Sequence, residues 1–307
     1  MFEHWACSIM VLCSDGIRKT RVRFSASPCR NSYKLAFFLN DMVKVLGILA
    51  VKGGVGKTTV ASALACDLAM SGKKVLLIDA NYSAPNVGLH MDVFEPKKTV
   101  HDVLQGRVRM SGAVHSRHGV DVVPGSLRFE SVPFLKLHDK LSSIKHKYDF
   151  IVLDGAPSLH EEGLSTILAS DYLFLVATPD YPTLSCSLQL AHAVKQRGKT
   201  VSGLILNKIR NPKYELSLQE MEQSIDIPVV AKLSDEPLQS QALFYRMPLP
   251  LYSARSSFSQ EIHKLSLALS AEPERRSFFR RFFAMPFSPP EINRQLLKEH
   301  FYSGVFE

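Results

Sequence analysis

The sequence predicts an α/β fold of three layers around a doubly wound, mostly parallel sheet. Three observations lead there. Short apolar runs alternate with stretches of helical periodicity through the middle of the chain, the pattern of strand–helix–strand units. Apolar runs end in Asp79, Asp154 and Asn207, which sets polar groups along the carboxyl edge of the sheet, where open α/β folds bind ligands. The first run, from Val43 to Val51, passes straight into the glycine-rich stretch Lys52-Gly-Gly-Val-Gly-Lys-Thr-Thr59 and then a helix.

In chain order, residues 1–41 stand apart. They hold three of the five cysteines and the only tryptophan, Trp5, and show no clear periodicity. They are expected to be an extension or the product of an upstream start, because Met42-Val-Lys-Val-Leu-Gly reads as a natural domain start. The main domain is expected over 42–270. Its first helix runs from Thr58 to about Met70, with Ala61, Leu64, Ala65 and Leu68 on one buried face. Lys74–Asp79 forms the next strand. Helices are expected at 98–110, 130–145, 159–169, 184–197 and 214–224, and strands at 120–123, 149–153, 172–177, 201–207 and 228–232. A last helix over 256–270 turns Phe258, Ile262, Leu265 and Leu269 inward. Residues 271–307 form a tail. There Phe278, Phe279, Phe282 and Phe283 share a helical face rimmed by Arg276, Arg280 and Arg281. Prolines 286, 289 and 290 then break the helix. A second helix, Glu291–Phe301, is expected to start with a capping box at Ser288 and Glu291 and to turn Ile292, Leu296 and Leu297 inward.

The glycine-rich loop carries the chemistry. Gly53, Gly54 and Gly56 lack Cβ atoms, so the backbone can wrap closely around phosphate oxygens and point its N–H groups at them. The helix that follows adds the positive end of its dipole. Lys57 is placed to reach the β- and γ-phosphates, and the Thr58 hydroxyl to ligate Mg²⁺. The pattern G-x-x-x-x-G-K-S/T is met in a shifted form, with a second lysine, Lys52, ahead of the glycines. The site predicts ATP or GTP, in a P-loop NTPase fold.

This loop resembles the deviant Walker A of the MinD/ParA superfamily, and the resemblance runs from about Val43 to about Ser270. It implies that Lys52 contacts the nucleotide of a partner subunit across an ATP-dependent homodimer. It implies nucleotide contacts from Lys52, Gly53, Gly54, Val55, Gly56, Lys57, Thr58 and Thr59. Tyr148–Pro157 resembles the Walker B strand with switch II, which puts Asp154 on Mg²⁺ through water and leaves Asp79 ordering the same shell. Asn207, in a strand ending Asn-Lys, is the base-recognition residue by the same resemblance. Leu233-Ser-Asp235 resembles the family's P-x-D loop beside adenine, without its proline. The family usually has a second aspartate in switch I, where this chain has Asn81. An amide can orient the attacking water but cannot take its proton. Lys52, Lys57 and Asn81 are thus the catalytic candidates, and slow hydrolysis is expected.

At 307 residues the chain holds one large domain or two small ones. No tract of 18 apolar residues exists to span a membrane as a helix. The cysteines, at 7, 13, 29, 66 and 186, show no C-x-x-C, which argues against the iron–sulfur branches of the family and for a reduced, cytoplasmic setting. The phenylalanine face with its arginine rim suits a membrane surface or a helix docked on the domain, and it resembles the targeting helix of MinD proteins. The resemblance implies a slowly hydrolysing ATPase that dimerises with ATP and Mg²⁺, associates peripherally with membrane and recruits a protein partner as a MinD-like spatial regulator. The alternatives are a ParA-like partition ATPase that uses its +8 charge to bind DNA non-specifically, and an ATP-binding scaffold without turnover.

Overall fold

The apolar runs form strands that are buried along their length, as a sheet covered on both faces requires. The structure is a computed structural model that describes residues 43–128, 131–158, 160–211, 213–270 and 288–302. Its strands are β1 (Lys44–Leu49), β2 (Val75–Ala80), β3 (His115–Arg117), β4 (Val120–Val123), β5 (Phe150–Gly155), β6 (Tyr172–Ala177), β7 (Gly203–Ile209) and β8 (Val229–Ser234). They make one eight-stranded sheet in the order β3-β4-β2-β5-β1-β6-β7-β8. Every neighbouring pair is parallel except β3 with β4. β1 lies between β5 and β6: the chain leaves β1 toward β2 on one side and later crosses from β5 to β6 on the other. This is the switch point at which such sheets open a ligand crevice.

Alternate side chains of each strand face different helices. Leu46, Ile48, Leu77, Val152 and Phe174 pack on α1 (Lys57–Met70) and on α10 (Ser257–Leu269). Their neighbours Val45, Leu76, Ile151 and Leu153 face the opposite layer. That layer contains α3 (Val100–Leu104), α4 (Leu137–Ser142) and α5 (Glu161–Ala169), and continues with α6 (Tyr181–Gln196) and α7 (Leu218–Ile225). The three-layer, mostly parallel fold expected from the sequence is therefore the one observed. The inward set of α10 is the expected one: Phe258, Ile262, Leu265 and Leu269 are all buried.

Several details depart from expectation. α1 is buried nearly all round, not on one face, because helices Leu249–Tyr252 and Ser257–Leu269 pack against it in addition to the sheet. The helices expected over 98–110 and 130–145 shrink to α3 and α4, each with a 3₁₀ turn nearby (Met110–Ala113 and Phe134–Lys136). Three short helices have too few residues to leave a periodic signal: α2 (Val87–His90), α8 (Leu238–Phe244) and α9 (Leu249–Tyr252). β3 is an antiparallel edge strand of three residues and escaped notice for the same reason.

The tail holds a packed helix, α11 (Pro289–Phe301), so the folded unit extends past the boundary drawn at 270. Its capping box is present: the Ser288 N–H and hydroxyl both donate to the Glu291 carboxylate, at 2.6 and 2.8 Å. The inward face is the expected one only at Leu297. Pro290, Arg294, Leu297 and Phe301 are buried, while Ile292 and Leu296 point outward. A charged residue takes the central inward position because its partners are there. The Arg294 guanidinium donates to Glu261 of α10 at 2.8 Å and to the Val230 carbonyl of β8 at 3.0 Å. Phe301 stacks on Tyr172 at 3.6 Å, and the Tyr302 hydroxyl donates to the Leu269 carbonyl at 2.7 Å. Arg294→Ala leaves Glu261 without this buried partner and is expected to cost about 3–5 kcal/mol. Thermal unfolding of the full chain should then drop by roughly 10 °C. The phenylalanines at 278, 279, 282 and 283 and residues 1–42 lie outside the described residues.

Candidate functional site

The loop between β1 and α1 turns because Gly56 adopts φ 91°, in the left-handed region where a side chain is strained. A Cβ there would also lie 2.3 Å from Asn207 Nδ2. Asn207, buried at the carboxyl end of β7, donates from that nitrogen to the Val55 carbonyl at 2.8 Å. Because the partner is a carbonyl, the amide orientation is fixed, and Oδ1 is left as the acceptor. Gly53 and Gly54 have open space where a Cβ would sit, and both are exposed. The loop thus presents a bare backbone to solvent and a pinned backbone to the protein. Val55 is buried beneath it, and Thr58 and Thr59 are half-buried in the first turn of α1.

Lys57 points into the protein and is 7 % exposed. Its ammonium lies 2.6 Å from Asp154 Oδ1, and the Thr58 hydroxyl donates to Asp154 Oδ2 at 2.7 Å. One carboxylate at the end of β5 therefore holds both side chains that the sequence assigns to phosphate and metal. Asp79 sits beside it, in register with Asp154 across the β2–β5 pair. Its carboxylate accepts N–H bonds from Asn81 at 3.1 Å and from Asn86 and Val87 at 2.9 Å each. Burial first, then the Asp154 charge, push the Asp79 carboxyl up, against those N–H bonds and the Lys57 charge.

Asn81 is buried, and its side-chain amide donates to the Ala84 carbonyl at 2.6 Å. Its nitrogen therefore holds the turn of its own loop. That loop is fastened further by Tyr82, which stacks on Phe134 at 5.4 Å and meets Ser165 through its hydroxyl at 3.3 Å. His101 completes the clasp. The Ser126 N–H donates to its Nδ1 at 3.0 Å, so the ring proton sits on Nε2, 3.1 Å from the Tyr82 carbonyl.

Lys52 stands at the rim with its side chain 45 % exposed, 3.5 Å from Asp180 Oδ1 and 3.5 Å from Thr183 Oγ1. Asp180 caps α6, accepting from the Thr183 N–H at 2.8 Å. Burial alone would raise this carboxyl. Bonds from Thr178 and Thr183 and the Lys52 charge outweigh it and hold the carboxyl below its usual range. Lys52, Gly53, Asp180, Lys208, Arg210 and Tyr214 line a cleft of about 300 Å³. Arg210 pairs with Asp235 at 2.5 Å, which ties the end of β7 to the Leu233–Asp235 loop.

The donors present suit Mg²⁺, a hard cation that takes oxygen ligands. The Thr58 hydroxyl and the Asp154 carboxylate are already adjacent, with Asp79 next to them. Among the described residues no three histidine, cysteine or carboxylate side chains form a metal cage of their own. A site of this kind completes its shell with phosphate oxygens and water.

The sequence reading named the loop, both aspartates and Asn207, and the structure brings all of them to one edge of the sheet. It missed Asp180 and Thr183, although Asp180-Tyr-Pro-Thr183 after a strand is a helix-start signal. It also missed Tyr82, Ser83 and Glu162, whose contacts join segments some eighty residues apart and leave no local trace.

A family model described as an AAA domain matches residues 43–207, more than half of the chain. The chain is 28% identical over 232 residues to an uncharacterized ATP-binding protein of Methanocaldococcus jannaschii, covering 74% of this chain and 88% of that protein. It is 27% identical over 243 residues to the sporulation initiation inhibitor protein Soj of Bacillus subtilis, covering 70% and 93%. Among solved structures, the septum site-determining protein MinD complexed with Mg-ADP, from Pyrococcus horikoshii, matches with a TM-score of 0.70 at 28% identity, over 73% of this chain and 95% of that one.

Proposed function

Because the chain belongs to the MinD/ParA superfamily of P-loop ATPases, we propose that it binds ATP with Mg²⁺ at Lys52–Thr59, dimerises in that state and acts as a MinD-like spatial regulator at a membrane. The observation that carries the nucleotide site is the three-way contact of Lys57, Thr58 and Asp154 beneath a bare glycine backbone. A relative crystallised with Mg-ADP supports the same ligands.

In this reading the backbone N–H groups of Gly53, Gly54 and Gly56 hold the phosphates, and the Lys57 ammonium turns from Asp154 to the β- and γ-oxygens. Thr58 would ligate Mg²⁺ directly and Asp154 would hold it through water, and the ion would supply neutralisation of phosphate charge. Asn207 accepts from the adenine amino group through Oδ1, the atom its bond to Val55 leaves over. Lys52 leaves Asp180 for the nucleotide of the second subunit. An exposed ion pair of this kind contributes only about 0–1 kcal/mol, so the exchange is cheap. Transfer of the γ-phosphoryl group to water depends mostly on such positioning and charge.

Asn81 supplies no base, so hydrolysis is slow. Asn81→Asp restores a carboxylate and by itself could raise turnover by up to ~10²–10⁴. The structure tempers that figure, because aspartate loses the donor to the Ala84 carbonyl, a bond worth about 1 kcal/mol. Turnover of the variant should rise, with a smaller gain than a restored base alone gives. An unchanged or lower rate in a phosphate-release assay means that Asn81 is not the bottleneck.

Membrane contact is proposed through Phe278, Phe279, Phe282 and Phe283, in the segment that joins the packed helices α10 and α11. Co-sedimentation of the full chain with anionic vesicles, with ATP or ADP, tests it against retention on plasmid DNA. ATP-dependent vesicle binding that falls with salt supports the reading. ATP-dependent DNA binding without vesicle binding replaces it with a partition-type ATPase.

A further inference from the structure

The Asn81 loop is not held by its own strand alone. Ser83, two residues beyond Asn81, donates its hydroxyl to the carboxylate of Glu162. Glu162 lies in the first turn of α5, the helix that follows Asp154 and its loop. One turn on, Ser165 donates to the Glu162 carbonyl at 2.8 Å and faces the Tyr82 hydroxyl at 3.3 Å. Two side-chain contacts from α5 thus clamp Tyr82 and Ser83, the pair that follows Asn81. The clamp joins the loop after Asp79 to the loop after Asp154, the two carboxylates paired in register on β2 and β5. Tyr82 is buried and also packed on Phe134, so this half of the clamp is anchored in the core. Ser83 is exposed, and its hydroxyl contact to Glu162 is the half of the clamp that can open.

We infer that Glu162 is a positioning residue of the ATP site, holding the Asn81 loop in place through Ser83. The inference rests on the ATPase reading above. Its chemistry follows from the departure at Asn81. An amide that works only by orienting a water must be held still, because a 1 Å misplacement costs about a hundredfold in rate. The Asn81 bond to Ala84 stays within its own loop and fixes only the turn, so the position of that loop against the Asp154 side depends on contacts from outside it.

The test uses Glu162→Ala, Glu162→Gln and Ser83→Ala in the full chain, and the Ser83/Glu162 double alanine variant. Glu162→Ala and Ser83→Ala should each lower kcat about ten- to a hundredfold with ATP affinity unchanged. The double variant should be no worse than either single one, because one bond is lost in all three. Glu162→Gln should keep most of the rate, since its amide oxygen still accepts from Ser83. A role confined to helix stability gives a different pattern. A negative charge in the first turn stabilises α5, so both Glu162 variants would then lose thermal stability and Ser83→Ala would lose nothing. Amide exchange over residues 81–87 with ATP bound is the second readout, and it should quicken in Glu162→Ala and Ser83→Ala. Unchanged exchange in both overturns the inference, as do additive rate losses. If the wild-type chain binds ATP and turns none over, the hydrolysis reading falls, and the exchange measurement still decides the anchor.

Discussion

Lys57→Ala is expected to lower ATP affinity by at least tenfold and turnover by a further 10²–10³-fold, the scale of removing one charged donor from a phosphoryl-transfer site. The structure adds a second effect. Lys57 is the cation at 2.6 Å from Asp154, a carboxylate with no exposure, and Asp79 lies next to it. Asp79 is already pushed up by burial and by Asp154. Without the ammonium, the Lys57 charge no longer offsets the Asp154 charge, and the Asp79 carboxyl is pushed up further. A carboxyl whose folded pKa stands above its unfolded value holds its proton more tightly in the folded chain. The variant is therefore most stable in mild acid and loses stability as pH rises through that folded value. Titration calorimetry with ATP and melting curves at pH 5.5 and 8 check both halves. Unchanged ATP affinity would remove Lys57 from the site. A melting temperature no lower at pH 8 than at pH 5.5 would contradict the proposed burial of paired charge.

Lys52→Ala is expected to do the opposite. ATP should bind the isolated subunit with affinity within a few-fold of wild type, because Lys57, Thr58 and Asp154 are untouched. Stability should barely change, since the lost contact is an exposed ion pair at 3.5 Å. Association with ATP should disappear. Light scattering and calorimetry on the same sample separate the two lysines, for which we propose a role within the subunit for Lys57 and across the interface for Lys52. A Lys52 variant that loses ATP affinity as strongly as Lys57→Ala would show that Lys52 works in its own subunit.

How much of this could be read from the sequence depended on how local the determinant was. The strand–loop–helix around Gly53–Thr59 is local, so spacing alone located it. Asp79 and Asp154 end strands, and strand ends fall on one edge by construction. The inward face of α11 was misread because the hydrophobic pattern favoured Ile292 and Leu296, whereas the fold buries Arg294. The locations of Glu261, thirty-three residues earlier, and of the Val230 carbonyl explain that choice. The role of Asn207 in holding Val55 was hidden for a similar reason, since the two residues lie 152 positions apart. Asn81 shows the limit from the other side. Its departure from the family pattern was plain, but the bond of its amide to Ala84 and the Ser83–Glu162 clamp beside it appear only in three dimensions.

The central claim is that ATP turns this chain into a dimer through the loop at Lys52–Thr59. The most direct measurement is the molar mass of the full chain by light scattering with Mg²⁺ and no nucleotide, ADP, or ATP. The account predicts monomer without nucleotide and with ADP, and a doubled mass with ATP. A mass that stays single with ATP at concentrations where calorimetry shows the site filled, or a dimer present without nucleotide, would contradict it.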